Sequence, residues 1–389
     1  SFWSPNKPVP AVELMISRNC IFCTLHAQDK FAYHSSNVAA AQNFACHDDG
    51  RRQPMKTVFH VAAAALISAA TVISSAAEAQ ISLRFGHANG EGEIAASLFE
   101  EFAERVAERT DGALTIQIFP NEQLGRENEL VQQAKAGAID ITAPSMPSAS
   151  LLVPALEIPS APFLWSNWEE AQAIIMSEAM QPAFDELKEE HNLRPLSKIW
   201  YWGWRNFTFA GTEVRHPDDM SGLRVRVPEQ PVWIGMVEAF GGSPTPVAFS
   251  DVYSALQQGV VDGQENPIPT IYTRRFYEVQ DTVSLSRHML QNNMMLINAP
   301  RFESLDHEHQ LILLEEAARV SAKNTAIQQR REQQMLDEID ADPNTTVIYD
   351  VDRDAFAALM QDAYPAMAET WGTEHFDRVV DAIEVLRGR

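Results

Sequence analysis

Apolar residues recur every second position over residues 82–87 and 114–119, the period of a half-buried strand. Between them, Ala95, Leu98, Phe99, Phe102 and Val106 fall on one face of a helix over 94–108. A helix over 127–136, ended by Gly137, leads to a third strand over 139–143. This βαβαβ order predicts an α/β domain with a mainly parallel sheet. A proline-rich segment, 144–162, precedes a helix over 168–190 capped by Asn167 and a strand over 195–202 that leads into a second domain.

In that second domain Leu223, Val225 and Val227 alternate with Arg224 and Arg226, which predicts a strand carrying two guanidiniums on one face. Pro228 and Pro231 end it, and a short helix over 232–240 stops at Gly241-Gly242. Residues 243–249 read as extended, because residues before Pro244 and Pro246 are turned away from helix. Ser250 caps a helix over 251–258, and 260–263 give a strand and turn. A strand over 294–299 returns to the first domain, and 305–339, which lacks glycine, reads as a long helix crossing both. A strand over 347–351 and helices over 354–386, interrupted at Pro365, complete the chain. The expected class is α/β: domain one from 80–203 plus 292–331, domain two from 204–291 plus 332–389, with a ligand cleft between them.

Charge narrows the partners. The 389 residues hold 30 basic and 53 acidic groups, a balance that argues against nucleic acid and anionic membrane as partners. Residues 55–79 read as a secretory signal: a basic start at Met55-Lys56, an apolar run over 61–73, and Ala77-Glu78-Ala79 as cleavage site. The mature protein is expected to begin near Gln80, in the periplasm and not membrane-inserted. Residues 1–54 lie upstream of that signal and read as a doubtful extension, with Met55 as the expected start. Cys20, Cys23 and Cys46 all fall there, so neither a disulfide nor a thiolate metal site is expected to support the mature fold.

The candidate chemistry is that of a carboxylate site. Arginine donates two parallel hydrogen bonds to a carboxylate and stays charged. Asn266 offers a donor and an acceptor, and Phe249 a flat apolar wall. Taken singly, the arginines also fit a solvated strand face, Phe249 a core position and Asn266 a turn before Pro267. Trp200, Trp202 and Trp204 fall on one side of a persistent strand, either as core between domains or as an aromatic wall beside Arg205. Glu91, just after the first strand, is placed to accept from a ligand hydroxyl or amine, or to sit in solvent. No metal site is expected: Asp350, Asp352 and Asp354 lack the glycine and closing glutamate of a calcium loop, and His307 and His309 suit a helix start. No dinucleotide or phosphate loop and no catalytic serine or zinc motif appears, so neither cofactor nor enzyme activity is expected.

Three stretches are long and specific: Gly222 to Val227, Ser243 to Tyr253, and Leu256 to Pro267, the last closing on Gly263-Gln264-Glu265-Asn266-Pro267. They resemble the signature of DctP-type solute-binding proteins of TRAP (tripartite ATP-independent periplasmic) transporters, and the similarity runs from Ile81 to the C-terminus. The resemblance implies a periplasmic-binding-protein-like fold that closes by hinge bending on an organic acid and docks on membrane subunits driven by an ion gradient. It implies that Arg226 grips the ligand carboxylate, Asn266 helps fix the ligand, Phe249 lies against it, and Arg205 stands where many members carry a further arginine. Members that bind sugar acids often carry an acidic residue soon after the strand near Thr142; Pro144-Ser145-Met146 stands here, which argues against the sugar-acid site copied whole. Sugar acids, C4-dicarboxylates, 2-oxo acids and zwitterions such as ectoine all remain open as cargo. A ligand sensor for a chemoreceptor or kinase, and a secreted enzyme acting on carboxylated substrates, are the alternative readings.

Overall fold

The computed structural model describes residues 80–388. The expected extension over 1–54, the signal over 55–79 and the three cysteines lie outside the described residues. The first end of the sheet is built by β1 (Ile81–Gly86), α1 (Ile94–Arg109), β2 (Leu114–Phe119), α2 (Glu127–Lys135) and β3 (Ile141–Thr142). Helices α3 (Met146–Ser150), α4 (Trp168–Ile175) and α5 (Gln181–His191) then lead into β4 (Leu193–Phe209). The second end holds β5 (Arg224–Val227), α6 (Pro231–Ala239), β6 (Ser243–Pro246), α7 (Val252–Gln257), β7 (Gly263–Pro267) and α8 (Ile268–Thr273). The chain returns through β8 (Thr282–Asn298), α9 (Ala299–Glu303), α10 (His307–Asp340), β9 (Thr346–Ile348), α11 (Arg353–Trp371) and α12 (Thr373–Leu386).

These strands form one sheet in the order β2-β1-β3-β8-β4-β7-β5-β6, with β9 paired to β8. The expected mainly parallel sheet holds only towards the ends. There β1 pairs in parallel with β2 and β3, and β5 with β6 and β7. The centre is antiparallel, because β4 and β8 are 17 residues each and run side by side through both ends. At about 3.3 Å per residue such strands extend on the order of 55 Å. The expected short strands over 195–202 and 294–299 are therefore only portions of these two. Pro195 and Gly203, which bound the expected strand over 195–202, coincide instead with register shifts, at Pro195/Ser197 and Tyr201/Gly203.

Smaller corrections share one cause, local chemistry cutting across periodicity. The expected helix over 168–190 is two helices, because Pro182 sits in the first turn of α5, where a missing N–H costs nothing. Asn167 does cap α4, its Oδ1 accepting from the Glu170 N–H at 2.8 Å. Ser250 does not cap α7; a 3-10 turn over Phe249–Asp251 precedes that helix. The expected strand over 260–263 starts only at Gly263. Pro365 does not interrupt α11, which continues with Phe356 and Met360 buried before it and Ala368 and Trp371 after it. Core burial on both sides holds the helix through the lost backbone bond.

Two hydrophobic cores lie on the two faces of the sheet, and each runs through both ends. One joins Leu130 and Ile158 to Val225, Trp233 and Phe356; the other joins Phe85 and Phe99 to Leu256, Ile271 and Val320. Helix α10 spans the second face, packing on α1, β4 and α8. Among the described residues no helix is long and apolar enough to cross a membrane.

Candidate binding cleft

Arg224 and Arg226 occupy the same face of β5 yet meet different surroundings. Arg224 is exposed and pairs with Asp262 at 2.6 Å. Arg226, two residues nearer the strand end, is only 2% exposed. Its Nε and Nη2 donate to the Val247 carbonyl at 3.0 and 2.7 Å. Among the described residues no carboxylate lies within ion-pairing distance of it. Burial, helped by the nearby Arg205 charge, pushes the Arg226 guanidinium down to about 10, so it remains protonated at neutral pH. A buried cation served only by a carbonyl is costly, and an anion arriving beside it offsets that cost.

Arg226 opens on a narrow cavity of about 70 Å³ between the two ends of the sheet, about 690 Å³ when the open solvent around its mouth is included. Phe249, Trp202 and Trp233 supply aromatic walls, and Asn266, Gln291 and Asn293 supply buried amides. Phe249 is held by the Arg274 guanidinium 4.5 Å over its ring, and Arg274 in turn pairs with Glu93 at 2.5 Å. Asn266 Nδ2 donates to Gln264 Oε1 at 2.6 Å, which sets the amide's orientation.

Arg205 also lines the cavity, but its charge is already met. Its Nε and Nη2 bind both Glu265 carboxylate oxygens, Nη2 also reaches the Glu265 carbonyl at 2.6 Å, and Nη1 donates to Gln291 Oε1. Burial works against the Glu265 charge, yet Arg205 and a bond from His288 hold its carboxyl below the ordinary range. That bond, 3.2 Å long, fixes the tautomer: His288 Nε2–H donates to the carboxylate, and Nδ1 accepts from Ser286 at 2.8 Å. Burial lowers the His288 pKa, so the ring stays neutral. Arg205 keeps a single Nη1 hydrogen to offer a ligand.

The lips of the cavity touch. Arg126 pairs with Glu229 at 3.2 Å, the Ser250 N–H donates to Glu122 at 3.2 Å, and Gln230 Nε2 donates to Asn128 Oδ1 at 2.7 Å and Ser148 Oγ at 2.8 Å. Each bond joins the stretch between β2 and the end of α3 to a segment following β5 or β6.

Of the six residues singled out from sequence, the structure brings Arg226, Asn266, Phe249 and Arg205 around one cavity. Glu91 sits in an exposed turn outside the lining; the buried acid of that loop is Glu93, taken up by Asn89 at 2.7 Å, the Gly90 N–H at 2.9 Å and Arg274. Trp204 is half-buried against the opposite core, whereas Trp202 lines the cavity. Gly203, at φ 128° and a register shift, moves Trp204 off the side shared by Trp200 and Trp202. Gln230, Trp233 and Glu127 were not found from sequence. The two prolines flanking Gln230, Pro228 and Pro231, were the available signal of a fixed loop before a helix.

The chain is similar to known proteins over most of its described residues. Residues 85–370 match the family described as bacterial extracellular solute-binding protein, family 7. The 2,3-diketo-L-gulonate-binding periplasmic protein of Escherichia coli is 28% identical over 296 residues, covering 76% of this chain and 89% of the relative. The sialic acid-binding periplasmic protein of Vibrio cholerae is 29% identical, covering 72% and 86%. A TRAP periplasmic solute-binding protein of Roseobacter denitrificans with bound β-D-glucuronate superposes with a TM-score of 0.72 at 28% identity, covering 78% and 99%. The sugar acid-binding protein of Advenella mimigardefordensis in complex with galactonate gives 0.74 at 26%, covering 78% and 98%.

Proposed function

The chain belongs to the family 7 bacterial extracellular solute-binding proteins, the DctP type that serves TRAP transporters, and from that premise we propose that its cargo is a small organic acid held through its carboxylate by Arg226. The observation that carries this reading is the guanidinium of Arg226, 2% exposed, facing the cavity with no carboxylate of its own. A planar carboxylate satisfies both the charge and the donor geometry. Asn266 and the last N–H of Arg205 orient it, and Phe249 and Trp202 cover the carbon skeleton. The solutes named for the relatives above all carry a carboxylate. Hinged closure, with Arg126, Gln230 and Ser250 as the lip contacts, would then present the loaded protein in the periplasm to membrane subunits.

The test is a thermal-shift screen against carboxylates, their amides and neutral sugars. A ligand bound only by the native state stabilises by about 2.7 kcal/mol at a hundred times its dissociation constant. Acids should raise the midpoint and their amides should not. Stabilisation by neutral sugars alone, or by no acid in ligand-stripped protein, refutes the reading.

A further inference from the structure

Behind the cavity lining, a chain of contacts joins its two walls. On the first wall stand Ala88 and Asn89, in the loop after β1; on the second stands Phe249. The loop is folded around Glu93. Asn89 Nδ2 donates to one oxygen of that carboxylate at 2.7 Å, and the Gly90 N–H donates to the other at 2.9 Å.

Arg274 reaches the same carboxylate from the other end of the sheet. It follows α8, which starts directly after β7 and its Asn266, and the Arg274 N–H closes that helix on the Thr270 carbonyl at 2.9 Å. Its Nη2 pairs with Glu93 at 2.5 Å and donates to the Ala88 carbonyl at 3.3 Å. A Cβ on Gly90 would stand 3.3 to 3.4 Å from three guanidinium atoms, so the group rests on bare backbone. Phe249 lies under the same guanidinium, its ring centre 4.5 Å away. One side chain thus touches the loop of the first wall and the aromatic of the second. Its burial sets it apart from the pair at the lip. Arg126 and Glu229 are 54% and 39% exposed, whereas Arg274 and Glu93 are 18% and 7% exposed. An exposed pair contributes little in water, but separating a buried one leaves charge uncompensated.

We propose that Arg274 is a latch across the cleft, a positioning residue that pairs with Glu93 when the two ends meet and sets how long a bound acid stays. Opening draws the guanidinium away from Glu93 and lifts it off the Gly90 backbone in one motion. Escape of the ligand therefore requires breaking the ion pair, while entry into an open cleft does not. The effect falls on dissociation, because a buried, hydrogen-bonded pair acts on the off-rate. The contact with Phe249 ties the aromatic wall to the same event, so that wall is held firmly against the ligand only in the closed form. This inference rests on the proposed capture of a carboxylate by hinged closure.

The experiment is stopped-flow mixing of ligand-stripped protein with galactonate, glucuronate, succinate and pyruvate, read by the fluorescence of Trp202 and Trp233 in the cavity. Rates are compared for the acid of the four that the parent binds most tightly. Glu93→Gln and Arg274→Met should each raise the off-rate about tenfold and leave the on-rate within about twofold. The double variant should be no faster to release than either single one, since both remove the same pair. Arg274→Lys keeps the charge and loses the planar seat on Phe249, so its off-rate should fall between parent and Arg274→Met. Ligand-free melting midpoints show which variants fold; should Arg274→Met not fold, Glu93→Gln and Arg274→Lys carry the test. Off-rates unmoved by the single variants overturn the inference and leave the carboxylate reading standing. So do effects that multiply in the double variant, and so does a loss confined to the on-rate. Failure of all four acids to bind the parent overturns both.

Discussion

Replacing Arg226 by methionine should separate binding from stability. Methionine keeps an unbranched chain of similar reach and removes the charge. Holding Arg226 protonated with its pKa pushed down to about 10, well below the ordinary guanidinium range, costs the fold about 3 kcal/mol. Because Arg226 is 2% exposed, little solvent screening reduces that figure. The sign follows directly. The folded pKa of this cation is depressed, so the cost is full throughout neutral pH and begins to fall only once pH rises past 10. Against this gain stands the Val247 carbonyl, which loses two donors; leaving it unmet costs about 1–3 kcal/mol. The ligand-free variant should therefore be as stable as the parent, or more stable by up to about 2 kcal/mol. Removing one partner of a buried charge pair costs about 2–5 kcal/mol of binding, so affinity for the acid should fall roughly thirtyfold to several thousandfold. Urea unfolding of stripped protein gives the first quantity and titration calorimetry the second. A ligand-free variant weakened by more than about 3 kcal/mol would mean that Arg226 supports the fold. Undiminished affinity would remove it from the site.

Other outcomes follow from the same geometry. His87 is 1% exposed and held near 4 by burial, well below its ordinary 6.5, so its stabilisation is full above 6.5 and lost as pH falls through 4. His87→Phe, among Phe85 and Phe99, should flatten that acid loss, worth up to about 3 kcal/mol, in melts between pH 7 and 4. Gly203→Ala should lower the melting midpoint and weaken ligand binding together, since a Cβ there meets Pro267 at 2.9 Å and the φ of 128° disfavours any side chain. Phe249→Ala should weaken binding by on the order of tenfold and leave the ligand-free melting midpoint nearly unchanged, because Phe249 is only partly buried.

The carboxylate site was more legible in the sequence than the sheet that carries it. Arg226, Phe249 and Asn266 lie in contiguous motifs of one α/β unit; singly each also fitted a bland role, and the resemblance of those motifs to DctP-type proteins singled them out as one lining. Arg205 was legible as a position, but its partner Glu265 lies across a strand pairing where Phe207 faces Glu265, which periodicity does not encode. The tryptophans show the same limit. Alternation assigned Trp204 the side of Trp200 and Trp202, and a single bulge at Gly203 reversed it. Strand length failed for a related reason. Pro195 and Gly203 are breakers on a regular strand, yet a long antiparallel pair absorbs each as a register shift. Gln230 and Trp233 carried no signal beyond their prolines, because their place in the lining exists only once the fold has closed around it.

The two 17-residue strands have a consequence for how this protein can be taken apart. The backbone passes from one end of the sheet to the other inside hydrogen-bonded ladder, with apolar side chains continuous on both faces. Among the described residues no linker between the two ends lies outside this ladder and the helices packed on it, and neither half expressed alone would close its own core. Limited proteolysis should trim ends and surface loops and leave one resistant fragment, and heating should give one transition. A hinge for ligand entry would therefore have to bend the ladder itself, as a sprung plate bends at its creases, and the arginine at position 205 sits at one of those creases, the register shift between Arg205 and Phe207.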